Sequence, residues 1–395
     1  MFASEYLTKN NRHRLIDVNP DPNCGMIVVI PCFNEPEILL TLESLKNCHA
    51  TTKHAEVIVV INHPEDASLS LKANNEKTLL SVTAWIETNF TEKLKFFVTG
   101  PFELRKKWAG AGLARKTGMD EAIARFNLIN NPEGIVVSLD ADTLVTKNYL
   151  AEIENHFTEN PKNVGATIAF EHQKSGLTEK HQRGIELYEL YLKYYKNALE
   201  YSGYPFSMFT IGSAFAVTAE AYVKRGGMNR RKAGEDFYFL QNLVQVGPVG
   251  EITNATVFPS SRLSNRVPFG TGPILKKWID GTEDLQQTYN LKAFTDLKAF
   301  FDIRNQLFKT DVFHQKQIVG TLPEPIANFI ESDNFYAEID ELNKNCSSLK
   351  TFENRFFHKF NAFKVLKFLN YSHEKFYRKA NLKIQAEMLG KLQNS

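Results

Sequence analysis

The chain has few cysteines, no long apolar run and almost no net charge, and each shortage removes a class of protein. Its four cysteines, Cys24, Cys32, Cys48 and Cys346, show no CxxC spacing of the kind used for zinc or redox work. The chain is therefore no disulfide-stapled scaffold; Cys32 and Cys48, in apolar contexts, read as buried free thiols and favour a reducing, cytoplasmic compartment. No stretch approaches the roughly 18 consecutive apolar residues of a membrane span, and residues 1–23 are too polar for a signal peptide. A soluble or peripheral protein is the expectation. The 47 Lys and Arg against 45 Asp and Glu give a formal charge of +2, so no whole-molecule field points to nucleic acid or an acidic polymer. There are no internal repeats and no low-complexity tracts. Function must be read from local sites.

What is present is length enough for a large core, 395 residues, and an alternation of strand and helix signals. Met26–Ile30 is a short β-branched run, followed by Pro31-Cys32-Phe33-Asn34-Glu35-Pro36-Glu37 and by Leu39, Leu42 and Leu45 at helical spacing. Asn34 is expected to cap that helix, with Pro36 in its first turn and Glu37 three residues on. Glu56–Ile61 and Leu94–Val98 read as strands with a helix near 75–89 between them. Gly112–Phe126 reads as a helix with Leu113, Met119, Ile123 and Phe126 inward, and Ile135–Leu139 as a strand. The alternation predicts a parallel sheet covered on both faces.

Beyond it come a helix near 147–159, a strand over Gly165–Phe170, a Tyr-rich helix near 178–201, a short strand at 215–217 and a helix over 236–246. Tyr188, Tyr191, Tyr194, Tyr195 and Tyr201 fit a core at helical spacing, and could also stack on a sugar. From about Gly281 strand signals fade. The expected division is an α/β domain over 1–280 and a helical C-terminal extension over 281–395. In the last stretch Phe356, Phe360, Phe363 and Phe368 interleave with Arg355, Lys359, Lys364 and Lys367. Such a helix either makes a peripheral contact with an anionic membrane surface or packs its Phe face on the rest of the protein.

The chemistry concentrates in four places. The Ile135–Leu139 strand runs straight into Asp140-Ala141-Asp142, and the C-terminal end of a parallel strand is where such sheets hold ligands. Two carboxylates one residue apart repel each other in a half-dry cleft and call for a divalent cation carrying a polyphosphate, although the pair alone also fits a strand-ending turn. About 95 residues later Gly234-Glu235-Asp236 opens a helix, behind Gly226-Gly227-Met228 and the basic run Arg230-Arg231-Lys232. Acidic residues suit any helix start; a carboxylate fixed there can also be the general base for a hydroxyl nucleophile, with Asp236 the candidate and Glu235 its support or alternative. The glycine-rich turn Ala109-Gly110-Ala111-Gly112, with Arg115 and Lys116 following, suits either a phosphate or close helix packing, and matches neither a P-loop nor a GxGxxG fingerprint. Finally, Arg262 and Arg266, four apart in a Ser/Gly loop, could clamp a pyrophosphate or stand in a solvated loop.

Taken in order, these pieces resemble the family 2 glycosyltransferases of GT-A fold. The resemblance covers about Met26 to Gly272. Ile27-Val28-Val29-Ile30-Pro31-Cys32-Phe33-Asn34-Glu35 is similar to that family's first strand and IPxxNE turn. Gly112-Leu113-Ala114-Arg115-Lys116-Thr117-Gly118 is similar to its AR-x-x-G segment, Asp140-Ala141-Asp142 to its DxD motif, and Gly226-Gly227 with Gly234-Glu235-Asp236 to its GG…ED segment. The fold so implied is α/β: a Rossmann-like, mostly parallel sheet flanked by helices, with the helical extension following a catalytic domain.

The resemblance implies an inverting transferase that moves a sugar from a nucleotide-diphosphate donor, a UDP-sugar for preference, to a glycan, lipid-linked or other hydroxyl acceptor. Asp142 would bind Mn²⁺ or Mg²⁺, Asp140 would meet the ribose or a metal-bound water, and Asp236 would be the base. Pro31, Cys32, Asn34 and Glu35 would line the nucleotide pocket, with Arg115, Arg262 and Arg266 toward the phosphates. The chain departs from the family at Asn62, where an aspartate usually reads the base, at Lys116, where asparagine is usual, and in lacking QxxRW. A nucleotidyltransferase and a nucleotide-sugar-binding scaffold are the competing readings; the missing N-terminal triphosphate loop disfavours the former.

Overall fold

The computed structural model describes residues 1–10, 14–230, 234–264 and 270–393. In chain order the first elements are α1 (Ser4–Lys9), β1 (Cys24–Cys32), α2 (Ile38–Lys46), β2 (His54–Pro64), α3 (Leu69–Thr88), β3 (Leu94–Leu104), α4 (Ala111–Leu128), β4 (Ile135–Ser138) and β5 (Leu144–Val145). Then come α5 (Tyr149–Glu159), β6 (Gly165–Phe170), α6 (Glu179–Tyr201), β7 (Phe215–Thr218), α7 (Ala219–Lys224), α8 (Glu235–Leu243), β8 (Val249–Phe258) and α9 (Thr271–Ile279). The rest is β9 (Gln287–Thr288), α10 (Leu291–Ile303), α11 (Val312–Val319), α12 (Glu324–Ser332), α13 (Phe335–Asn345), α14 (Leu349–Lys359), α15 (Ala362–Lys375), β10 (Ala380–Asn381) and α16 (Leu382–Gln393).

Strands β1, β2 and β4 form where continuous apolar runs stand because both of their faces are covered, leaving Ile27 to Ile30, Val57 to Ile61 and Val136 and Val137 wholly buried. Eight strands make one sheet in the order β3-β2-β1-β4-β7-β6-β8-β5. The pairs β3/β2, β2/β1, β1/β4 and β6/β8 are parallel. The pairs β4/β7, β6/β7 and β5/β8 are antiparallel, so the sheet is mostly rather than wholly parallel. Strand β8 escapes a reading based on apolar runs: its Glu251, Thr253 and Asn254 are exposed, and only alternate stretches of it face the core.

One local expectation fails. Helix α2 begins at Ile38, with Glu37 in the capping position and no side-chain cap. Asn34 instead adopts a left-handed backbone (φ 49°), which asparagine tolerates well, and its N–H donates to Asn75 Oδ1 at 2.9 Å. The turn is held from α3, not by capping the helix that follows it.

The chain forms two compact units, Met1–Gly176 with Thr210–Lys276 and Leu177–Phe209 with Lys277–Ser395. The first holds the whole sheet. The second takes the Tyr-rich helix α6 as well as the C-terminal helices, because its aromatic stripe packs there: Tyr194 donates to Tyr289 O at 2.9 Å, and its ring lies 5.8 Å edge-on from Phe294. Phe300, Phe335, Phe356 and Phe360 form the centre of this unit, with Phe300 to Phe360 centroids 5.3 Å apart. Phe356, Phe360 and Phe368 are therefore inside it. Lys359 pairs with Glu341 at 2.6 Å, Lys364 with Glu338 at 2.6 Å, and Lys367 with Asp333 at 2.5 Å. Of the two readings of the stretch, packing of the Phe face is thus present for these three rings, and the three lysines have acidic partners within the unit. Among the described residues, no helix is long and apolar enough to cross a membrane.

Helix α4 packs against β1 and β2 unusually closely. A Cβ on Gly118 would lie 2.4 Å from Val29 Cγ1 and 2.9 Å from Val60 Cγ2. The AR-x-x-G glycine is thus a helix-to-sheet contact. Gly118→Ala should destabilise the protein by about 1–3 kcal/mol through overpacking. Gly390→Ala, in α16 with open space around it, should be neutral or stabilising by up to about 1 kcal/mol. Urea titrations of both variants test this; equal midpoints for the two would refute the packing role.

Candidate active site

Strand order reverses between β1 and β4, and such a switch point opens a crevice beyond the carboxyl ends of the two strands. Leu139 N–H continues the ladder to Val29 O at 3.1 Å, after which the chain turns through Asp140, whose carbonyl accepts from Thr143 N–H at 3.1 Å. Thr41 Oγ1 of α2 donates to Ala141 O at 2.9 Å, and Gln173 Nε2 donates to Asp142 O at 3.0 Å. The Asp140-Ala141-Asp142 backbone is held from both sides. The two carboxylates are part-exposed, at 37% and 28% of their side-chain surface.

Arg115, from the second turn of α4, ties this turn to the other acidic cluster. Its Nη2 donates to Asp140 Oδ1 at 2.6 Å and its Nη1 to Glu235 Oε1. Only 2% of the side chain is exposed. Burial works against the guanidinium's charge, but Asp140 and Glu235 more than offset it and hold it firmly protonated. Gly212 makes room for this group, since a Cβ there would sit 2.6 Å from Arg115 Nη2. Arg115, expected on a phosphate, instead bridges two motifs about 95 residues apart.

Glu235 is buried and engaged with Arg115. Asp236 is half-buried, and Phe237 N–H donates to its Oδ1 at 2.7 Å. Burial and the neighbouring Glu235 charge raise the Asp236 carboxyl to about 7, against the opposing pull of Arg115. Asp236 is poised to exchange a proton near neutral pH.

On the β1 side, Arg262 forks onto Glu35 at 2.8 and 2.6 Å and reaches Asp142 at 3.3 Å. Burial, Asp140 and Glu35 raise the Asp142 carboxyl to about 7, and Arg262 only partly counters them. Cys32 is fully buried and its thiol is pushed up to about 12, so it packs as a neutral side chain. Pro31 is part-exposed at the end of β1. Asn62, 5% exposed at the end of β2, donates through Nδ2 to Cys32 O at 3.2 Å and Val60 O at 3.4 Å. Lys116 is not at the crevice: it bonds Tyr6 at 2.8 Å and Asp120 at 3.1 Å in a buried cluster. Arg231, Lys232 and Arg266 lie outside the described residues.

The residues present suit a divalent cation. Among the described residues, Asp140, Asp142, Glu35, Glu235 and Asp236 are grouped about two guanidiniums, Arg115 and Arg262. Burial first, and the neighbouring Asp140 and Glu35 charges after it, raise the Asp142 carboxyl. Among the described residues no three His, Cys, Asp or Glu side chains converge as a self-sufficient metal cage. A hard cation held by one or two carboxylates plus substrate phosphates needs no such cage.

Thr41, Gln173 and Gly212 were not singled out in the sequence. Each supports the site through one tertiary contact, and no local pattern marks it.

No family model matches the chain, and no curated protein matches it. Among solved structures, S. aureus TarS 1–349 in complex with UDP-GlcNAc is similar at 14% identity and TM-score 0.43, over 84% of this chain and 91% of that one. A second crystal structure of S. aureus TarS 1–349 matches at 13% identity and TM-score 0.40, over 84% and 91%. The mannosyltransferase PcManGT from Pyrobaculum calidifontis, in complex with GDP-Man and Mn²⁺, matches at 14% identity and TM-score 0.40, over 99% and 92%. Likeness at this level carries nothing about chemistry, which rests on the crevice itself.

Proposed function

We propose that the protein is a metal-dependent, inverting glycosyltransferase that moves a sugar from a nucleotide-diphosphate donor to a hydroxyl acceptor. The observation that carries this reading is the connected cluster Asp236, Glu235, Arg115, Asp140 and Asp142 at the sheet's switch point. It joins a carboxyl poised near pH 7 to a strand-end acidic pair.

Asp142, with Asp140 beside it, would hold Mn²⁺ or Mg²⁺. A cation there supplies charge stabilisation to the departing diphosphate. Asp236 accepts the acceptor hydroxyl's proton as that oxygen bonds to the anomeric carbon, and the carbon–oxygen bond to the diphosphate breaks on the opposite face. Arg262, freed from Asp142 and Glu35, can meet the diphosphate bidentately. Asn62 permits a uridine donor: with its amide N–H groups given to Cys32 and Val60 carbonyls, its oxygen remains to accept from the uracil N–H. Glycan and lipid-linked hydroxyls are the acceptor classes in view.

Thermal unfolding with UDP-, GDP- and ADP-sugars, each with and without Mn²⁺, tests the donor. At 100 times its Kd a true donor stabilises by about 2.7 kcal/mol. A UDP-sugar should give the largest shift, and only with metal. No shift with any of the three, or equal shifts without metal, would count decisively against this function.

A further inference from the structure

Two segments adjoin the acidic cluster in the chain, and the proposed mechanism uses neither. One, residues 105–110, leads into α4 and hence to Arg115. The other leads into α8 and is tied to the acidic cluster by Asn229 Nδ2, which donates to Glu235 O at 3.3 Å. The first segment and Arg230 of the second approach each other at Trp108. Lys107 Nζ lies 5.5 Å from its ring centroid and Arg230 Cζ 5.8 Å, one cation from each loop. Arg105, Lys107 and Arg230 are exposed, and the indole is part-exposed. Of the basic residues in the first loop, Lys106 is already paired, with Asp66 at 2.7 Å. Among the described residues no carboxylate is within ion-pair distance of Arg105, Lys107 or Arg230.

An accessible indole face is a surface on which the C–H face of a sugar ring can lie. A guanidinium offers two parallel donors to a planar or tetrahedral anion, and an ammonium adds a point charge. The pairing of ring and uncompensated cations is therefore selective: it fits a sugar that also bears negative charge. A neutral glycan would leave three cations without partners, and a bare anion would leave the indole unused.

We infer that Trp108, with Arg105, Lys107 and Arg230, forms an acceptor subsite for an anionic sugar unit. The inference rests on the glycosyltransferase reading above and specifies its acceptor. The hydroxyl that Asp236 deprotonates belongs to, or lies next to, a phosphate- or carboxylate-bearing sugar.

The test is ligand-observed NMR titration of glucose 6-phosphate, glucuronate and glucose, with UDP and diamagnetic Mg²⁺ present so that phosphate is kept out of the donor crevice. At least one of the two anionic sugars should bind ten times or more tighter than glucose, and which one does so identifies the anion. That binding should weaken with added salt, tenfold or more in Trp108→Ala, and tenfold or more in Arg230→Ala. Trp108→Phe keeps a ring and should retain most of the binding, which separates loss of the face from loss of the fold. Glucose binding as tightly as both anionic sugars would overturn the inference. Binding by Trp108→Ala and Arg230→Ala equal to that of the unaltered chain would do the same. Thermal stabilisation by UDP with Mg²⁺ is recorded on the same samples. A UDP shift without anionic-sugar binding sinks the subsite alone, whereas no UDP shift sinks the donor reading.

Discussion

Asp236→Asn should lower kcat by about 10²–10⁴-fold, the range general-base catalysis contributes, while the thermal shift caused by UDP with Mn²⁺ persists. The amide fills the same volume and can still accept the Phe237 N–H, so the change removes the proton acceptor and little else. A scaffold that only binds nucleotide sugar would show no change in any turnover. The pH profile carries the same claim. Burial and Glu235 raise the Asp236 carboxyl to about 7, and a base works only when deprotonated. The rate should therefore fall about tenfold per pH unit below 7 and level off above it. Stability runs the other way. A carboxyl raised in the folded state binds its proton more tightly there than when unfolded, so its contribution is full at pH below its ordinary value and is lost as pH rises through about 7. Donor-free protein should lose melting temperature between pH 4 and 7 on this account, and Asp236→Asn should flatten that slope. A rate profile flat from pH 5 to 8, with Asp236→Asn as active as the parent chain, would move the base elsewhere.

Much of the α/β frame was legible because burial on two faces writes itself as unbroken apolar runs, as in Ile135–Leu139 and Val57–Ile61. The strand-end position of Asp140 and the helix-start position of Glu235 and Asp236 followed from local signals of the same kind. What stayed hidden was tertiary. Arg115 looks like a phosphate ligand from its glycine-rich neighbourhood, and only the fold shows it buried beside Gly212 with both carboxylates already in its fork. Asn34 has a capping residue's chemistry, but its side-chain oxygen accepts from Asn74 Nδ2 of α3 at 3.1 Å and its N–H donates to Asn75. Strand β8 was missed because its exposed Glu251, Thr253 and Asn254 interrupt any apolar run; α6 was legible as a helix, but a hydrophobic stripe does not say which unit will cover it. The Trp108 platform needed two segments more than 100 residues apart to meet, which no window of sequence displays.

Arg115 should prove the hinge of the whole cluster, and its loss should be costly in two separable ways. Removing one partner of a buried ion pair leaves the other's charge uncompensated, at about 3–5 kcal/mol. Arg115→Ala, which strands Glu235 with 5% of its side chain exposed, belongs in that class. A stability loss alone would be a structural result, so the informative variants are Arg115→Lys and Arg115→Gln. Lysine keeps the charge but, as a point donor, cannot hold Asp140 and Glu235 in one planar fork. It should fold and lose mainly kcat, as expected of a residue that positions the base and the strand-end pair. Glutamine removes the charge that pulls the Asp236 carboxyl downward. Its acid limb should therefore move to higher pH than that of the parent chain, while Arg115→Lys leaves the limb near 7. Rate profiles measured from pH 5 to 9 on protein shown to be folded by its thermal transition would decide the matter. An unmoved limb in Arg115→Gln would mean that Arg115 holds the crevice together without tuning its base.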